Sequence, residues 1–274
     1  MKKKRWLCLF LTAAIIGGYI AFQYNYNLDK NTAPEITFEE DMIKVKTDAD
    51  ETVLLEGVKA HDKEDGDLTK DVLIDSISAF NSDNERTITY VVFDKDNKPA
   101  TASRKLTYKN YRAPRITLND SLIQSSLGIT RINNLIGARS FVDGNIDANV
   151  EIKMGTYEDH KMPFKVSVCD STGTQTTLDL VYEYDNTNYT ADIVLEKYIL
   201  YVSKEKKEKE SKLDLKKNVE KVMVGNNESE DLLEHVVINK GELDLKKPGV
   251  YEIYYSLDDE VKLDAKCKAI VVVQ

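Results

Sequence analysis

Ala60-His61-Asp62-Lys63-Glu64-Asp65-Gly66-Asp67-Leu68-Thr69 is the stretch that decides the fold, because it comes back. Its echo, Val142-Asp143-Gly144-Asn145-Ile146-Asp147, lies 78 residues further on, Gly to Gly. A third copy, Ser229-Glu230-Asp231-Leu232-Leu233, has lost the glycine. Each acidic turn runs into spaced apolar residues: Val72 and Ile74, Val150 and Ile152, Val236 and Ile238. Spacing of two is the strand period.

Two more anchors keep the same beat. Thr32-Ala33-Pro34-Glu35-Ile36-Thr37 returns as Arg112-Ala113-Pro114-Arg115-Ile116-Thr117, 80 residues later, and weakly as Thr190-Ala191-Asp192-Ile193-Val194. An alternating stretch ending in Asp occurs at Thr87–Asp94, Pro163–Asp170 and Val250–Asp258. Ile88, Tyr90 and Val92 alternate there with Thr89, Val91 and Phe93. Asp94–Pro99 and Asp170–Gly173 read as hairpin turns, rich in Asp, Asn and Gly. A strand follows each: Thr101–Tyr108, Thr176–Tyr184 and, in the third copy, Lys262–Val273. A period of about 80 residues built from short strands is the size of a small β-sandwich.

These residues resemble the tandem immunoglobulin-like repeats of bacterial, mostly Gram-positive, surface proteins. Three motifs carry the likeness. They are Ala33-Pro34-Glu35-Ile36, the Ala60–Thr69 stretch, and Tyr90-Val91-Val92-Phe93-Asp94-Lys95-Asp96-Asn97. It is fullest in the first repeat, degraded in the second (Ile136–Asp147), and held in the third mainly by Pro248–Tyr255. The resemblance implies sandwiches used for spacing, adhesion, or contacts with carbohydrate or protein. It implies no catalytic activity.

Charge is unevenly spread. The 274 residues carry a net charge of -9, with 38 Lys and Arg against 47 Asp and Glu. Residues 1–30 hold +4 and the rest -13. The acidic balance argues against a nucleic-acid partner, which needs a basic face. The positive end is Lys2, Lys3, Lys4 and Arg5, followed by the uncharged run Trp6–Phe22. Its 17 residues would span about 26 Å as a helix, at the short end for crossing a bilayer. Bulky Tyr19 stands at -3 to a cut after Ala21, which disfavours cleavage. The expectation is an uncleaved signal anchor, with the basic tip cytoplasmic and the bulk of the chain outside. A cleaved, secreted form is the alternative. With no Leu-Pro-x-Thr-Gly sorting motif, membrane contact through Trp6–Phe22 is the expected attachment.

The expected architecture is therefore all-β: an N-terminal transmembrane helix and three tandem immunoglobulin-like β-sandwiches. The segments are 1–29 (basic tip and anchor), 30–110, 111–186 and a divergent 187–274. Divergence peaks in Lys204–Lys217, a dense run of mixed charge read as a solvated edge or loop.

Asp62, Glu64, Asp65 and Asp67 place four carboxylates within six residues, a density of hard oxygen that suits Ca²⁺. Leu73 stands where an EF-hand would carry its twelfth-position Glu. The second repeat keeps Asp143 and Gly144 but has Phe141 and Val142 in place of acids. A turn capped by Asp needs only the Asp-Gly pair that survives, so the turn is favoured over the Ca²⁺ site. Other site chemistry is thin. His61, His160 and His235 fall in different repeats, and no paired zinc-ligand motif, phosphate loop or Gly-x-Ser-x-Gly elbow occurs. Strand tyrosines such as Tyr90, Tyr182 and Tyr254 read as core or rim residues rather than sugar platforms. Cys169 and Cys267 read as separate thiols. The functional expectation is a non-catalytic, membrane-anchored surface protein acting as spacer or adhesion module. Its partner would be a surface protein or a glycan. The alternative is an accessory subunit docked on an envelope polysaccharide, secretion or transport complex.

Overall fold

The structure is a computed structural model that describes residues 12, 14–22, 31–124, 132–185, 187–204 and 213–274. The expected basic tip, residues 6–11 and 13 of the Trp6–Phe22 run and residues 205–212 of the charged run lie outside the described residues. Residues 14–22 are helical, and Ile15, Ile16, Tyr19, Ile20 and Phe22 are each more than half exposed. Among the described residues no helix is long and apolar enough to cross a membrane.

The described residues from 31 onward are built mainly of strands, joined by turns and one-turn helices such as Glu51–Leu54, an all-β arrangement. One seven-strand plan is used three times. The first copy has β1 (Glu35–Phe38), β2 (Met42–Val45), β3 (Val58–Asp62), β4 (Gly66–Asp67), β5 (Leu73–Ile77), β6 (Arg86–Phe93) and β7 (Pro99–Tyr108). Its sheets run β1-β3-β4 and β2-β7-β6-β5. The second copy has β8 (Arg115–Leu118), β9 (Ile123–Gln124), β10 (Ile136–Ser140), β11 (Gly144–Asn145), β12 (Glu151–Met154), β13 (Lys161–Cys169) and β14 (Gln175–Tyr184). The third has β15 (Asp192–Leu195), β16 (Ile199–Val202), β17 (Val219–Val224), β18 (Asn227–Glu228), β19 (Val236–Asn239), β20 (Gly249–Leu257) and β21 (Lys266–Val273). Their sheets repeat the first copy's order strand for strand: β8-β10-β11 with β9-β14-β13-β12, and β15-β17-β18 with β16-β21-β20-β19.

The alternation explains why these segments are strands. On β6, Ile88, Tyr90 and Val92 are fully buried while Thr89 and Phe93 face outward. The β6–β7 turn closes with Asp94 N–H donating to Lys98 O, and Asn97 takes a positive φ of 62°. Gly173, at φ 79°, does the same for β13–β14. A loop residue able to adopt that left-handed conformation is what the short connection demands.

The chain divides into two compact units. One holds Met1–Val45 and Ala49–Thr107, the other Lys46–Asp48 and Tyr108–Gln274. In the first, Arg104 is 4% exposed and has no carboxylate partner among the described residues. Its guanidinium donates to Tyr90 Oη (2.9 Å), Leu54 O (3.0 Å) and Glu56 O (2.8 Å), and lies over the Phe38 ring. In the second unit a single hydrophobic core runs from Ile116 to Val273 and so embraces strands of both later repeats. β21 shows why. Lys266-Cys267-Lys268-Ala269-Ile270-Val271-Val272-Val273 is buried from Cys267 onward on both faces. Cys267 pairs with Tyr255, whose hydroxyl bonds Leu215 O inside the third repeat. The opposite face, carrying Lys268, meets the second repeat at Val181, Glu183 and Ser121. A strand covered on both sides loses polar alternation.

Candidate functional site

The four carboxylates of the acidic turn do not point at one centre. Asp62, the last residue of β3, is 1% exposed, and its Oδ1 accepts from the N–H groups of Glu64 (2.8 Å) and Asp65 (2.7 Å). Glu64 turns to Thr32, accepting from its N–H and hydroxyl. Asp65 accepts from Lys95 N–H at 2.8 Å and pairs with the Lys95 ammonium at 3.0 Å. Asp67 caps Thr69 N–H at 2.9 Å. Hydrogen bonds from Lys95 hold the Asp65 carboxyl below its ordinary range, and bonds from Thr69 do so for Asp67. Each side chain thus has a turn-building task, as the reduced second copy does: Ser140 Oγ accepts from Val142 and Asp143 N–H.

The more developed polar site lies where the second and third repeats share their core. Lys268 is fully buried. Its ammonium donates to Val181 O (2.6 Å), Glu183 Oε1 (3.0 Å) and Glu252 Oε1 (3.1 Å). The Tyr254 hydroxyl sits between the same two carboxylates, 2.6 Å from Glu183 and 2.9 Å from Glu252. Burial alone would raise the Glu183 carboxyl, but the Tyr254 hydrogen bond and the Lys268 charge outweigh it and hold the group below its ordinary value. Burial, then the two neighbouring carboxylates, pushes the Tyr254 phenol up. Lys266 extends the network outward, with Asp185 at 3.5 Å and the Tyr254 ring beneath its ammonium. Asp185 accepts from Thr187 N–H and Tyr189 Oη, and these bonds depress its carboxyl strongly.

Glu183, Tyr254 and Lys266 of this network line an open cleft of about 670 Å³, with Lys268 buried behind them. Its lining residues include Lys161, Lys266, Ser256, Asn239, Tyr189 and Tyr254, with Leu257 and Leu263 beside them. Donors, acceptors and apolar ring faces on a rigid floor are equipment for binding. Sequence reasoning reads Tyr254 as a core or rim residue and misses the site. Its charged members, Glu183, Glu252 and Lys268, lie far apart in the chain and carry no local motif.

A smaller group joins His235, Asp258 and Glu260, whose ligand atoms lie within 4.8 Å of one another. His235 Nδ1 is 3.1 Å from Asp258 Oδ2, and Asp258 N–H donates to His235 O. The spacing is one a metal ion can bridge, although all three side chains reach solvent.

No protein-family profile matches the chain, and no curated protein matches it. Solved structures show partial likeness. One is the M60 catalytic domain with the CBM51-1 and CBM51-2 domains from Clostridium perfringens ZmpB (12% identity, 88% of this chain, 30% of that chain, TM-score 0.23). Another is CBM51-2 in complex with GlcNAc and INT domains from the same protein (15% identity, 58% of this chain, 30% of that chain, TM-score 0.22). A third is human CDH23 EC21-23 (10% identity, 88% of this chain, 100% of that chain, TM-score 0.20). The chain thus spans under a third of the first two structures. At such TM-scores the likeness carries no functional argument, and function is read from the chain's own residues.

Proposed function

We propose that the chain is a non-catalytic cell-surface binding protein, held to the membrane by Trp6–Phe22, whose immunoglobulin-like repeats present a ligand cleft to the outside. One observation carries the reading: the cleft over Lys268, with its hydrogen-bonding walls and two tyrosine rings, is set on the shared core of two repeats. A glycan is the ligand class that uses hydroxyl-matching donors and ring faces together. The basic start of the chain and the charge-free run behind it support the anchor.

Binding of the full-length protein to immobilised cell-wall polysaccharide tests the ligand. Lys161 is exposed and Ser256 half-buried, and both line the cleft without a side-chain bond to Lys268 among the described residues. The pair Lys161→Ala and Ser256→Ala should weaken binding about tenfold, as expected for two hydrogen bonds of about 0.5–1.5 kcal/mol each. Unchanged affinity would remove the cleft from the account. Fractionation tests the anchor. The wild-type chain should stay in the membrane pellet through alkaline carbonate extraction. A chain with Ile16→Lys and Ile20→Lys should move to the supernatant, since each central Lys costs about 2.5–3.5 kcal/mol in the bilayer. A soluble wild type would contradict the anchor.

A further inference from the structure

We propose a zinc site on the third repeat, formed by the imidazole of His235 and the carboxylates of Asp258 and Glu260. Their ligand atoms lie within 4.8 Å of one another. Strand pairing brings the first two together. Val236 of β19 is paired with Leu257 of β20, and the next position outward sets His235 beside Asp258. Asp258 N–H donates to His235 O at 3.0 Å, which holds that register. His235 N–H donates to Leu232 O at 3.1 Å, so the backbone under the imidazole is tied on both sides. Asp258 Oδ1 accepts from Glu260 N–H at 3.0 Å. That bond fixes the aspartate side chain and folds the chain so that Glu260 returns beside it. β19 is the edge strand of its sheet, and all three side chains reach solvent, so an ion can enter.

The donor atoms suit a borderline metal. His235 Nδ1 is 3.1 Å from Asp258 Oδ2 and 3.2 Å from Oδ1. Two ligands on one tetrahedral Zn²⁺ stand roughly 3.3–3.6 Å apart, given bonds of about 2.0–2.2 Å. The pair is thus near chelating distance before any ion arrives. An ion between them takes the place of the shared hydrogen, which the imidazole can carry on Nε2 instead. Glu260, exposed, closes the third position by rotating its side chain, and water completes the tetrahedron. One imidazole nitrogen with two carboxylates favours Zn²⁺, whereas Ca²⁺ and Mg²⁺ prefer oxygen alone.

The other repeats serve as internal controls. Ile74 is paired with Tyr90, Ile152 with Val166 and Ile238 with Tyr255. Three residues outward from each, the facing positions hold Asp71 and Phe93, Asn149 and Cys169, His235 and Asp258. Two residues beyond stand Lys95, Ser171 and Glu260. In the second repeat the position makes a plain hydrogen bond, Asn149 Nδ2 donating to Cys169 O at 3.0 Å. The fold therefore needs no imidazole or carboxylate there. Only the third copy gathers three ligating side chains at this corner.

Equilibrium dialysis of radiozinc with the full-length protein tests the site. The expected result is one saturable Zn²⁺ that about a tenfold excess of Ca²⁺ does not displace. His235→Asn, which restores the second repeat's residue, should weaken uptake at least about tenfold, the loss that even an outer partner of a metal ligand gives. Asp258→Asn, which keeps the oxygen that caps Glu260 N–H, and Glu260→Gln should do the same. His61→Gln and His160→Gln should leave uptake unchanged. Circular dichroism confirms that each variant is folded. The proposal is overturned by no saturable uptake in the wild type, by unaltered uptake in any of the three folded site variants, by displacement with Ca²⁺, or by loss in the His61 or His160 variant.

Discussion

Replacing Lys268 by Met should lower the stability of the unit holding the second and third repeats by about 3–5 kcal/mol, read from denaturant midpoints. The ammonium is fully buried and is the cation between Glu183 and Glu252. Its loss leaves two carboxylates facing each other around Tyr254, and orphans the Val181 carbonyl. Lys266, 3.9 Å from Glu183, is too far and too exposed to take over. The triple variant with Glu183→Gln and Glu252→Gln should regain much of the loss, because it removes the stranded charges. A single Lys268→Met costing under about 1 kcal/mol would show that the network is not a stabilising clamp. The pH dependence follows from Glu183. Its folded carboxyl is depressed below the ordinary value of 4.5, so its contribution is present above that value. As pH falls below about 4.5 the stabilisation shrinks, and it is gone once the folded carboxyl protonates. Glu183→Gln should therefore flatten the acid limb of the stability curve.

The second large effect is expected at Arg104. Arg104→Ala should destabilise the unit holding β1–β7 by about 3–5 kcal/mol. The guanidinium satisfies the carbonyls of Leu54 and Glu56, at the end of the one-turn helix Glu51–Leu54, and the Tyr90 hydroxyl. Removing it takes a donor from the Leu54 and Glu56 carbonyls and from the Tyr90 hydroxyl, and empties the space over Phe38. Tyr90→Phe, which deletes only the hydroxyl bonded to Leu54 O at 2.7 Å, should cost about 1–2 kcal/mol. The double variant should lose less than the sum, since the two side chains bond each other. Strict additivity would mean that Arg104 acts only through its bulk.

Much of this was legible in the chain itself. Period-two alternation and the Asp-Asn-Gly turns located β6, β7, β13, β14 and β20 to within a few residues, because one face of each is buried and the other wet. β21 was expected to begin at Lys262 but starts at Lys266, and its unbroken apolar run hid a second covered face. The two-residue strand Ile123–Gln124 left no period to read. The acidic turn shows a different limit. Asp62, Glu64, Asp65 and Asp67 are neighbours in sequence, yet the strand end turns Asp62 inward and the turn sends the others to Thr32, Lys95 and Thr69. Glu183 and Lys268 carry no local signal in the sequence, since the burial that makes them meet comes from packing one repeat on the next.

The central claim, that the cleft over Lys268 is the binding surface, meets its most direct test in amide hydrogen exchange. The full-length protein would be measured with and without saturating cell-wall polysaccharide. The account predicts added protection in Tyr254–Leu257, Asp264–Lys266 and Thr187–Tyr189, the segments that wall the cleft. Protection confined to other strands, or none anywhere, would contradict it.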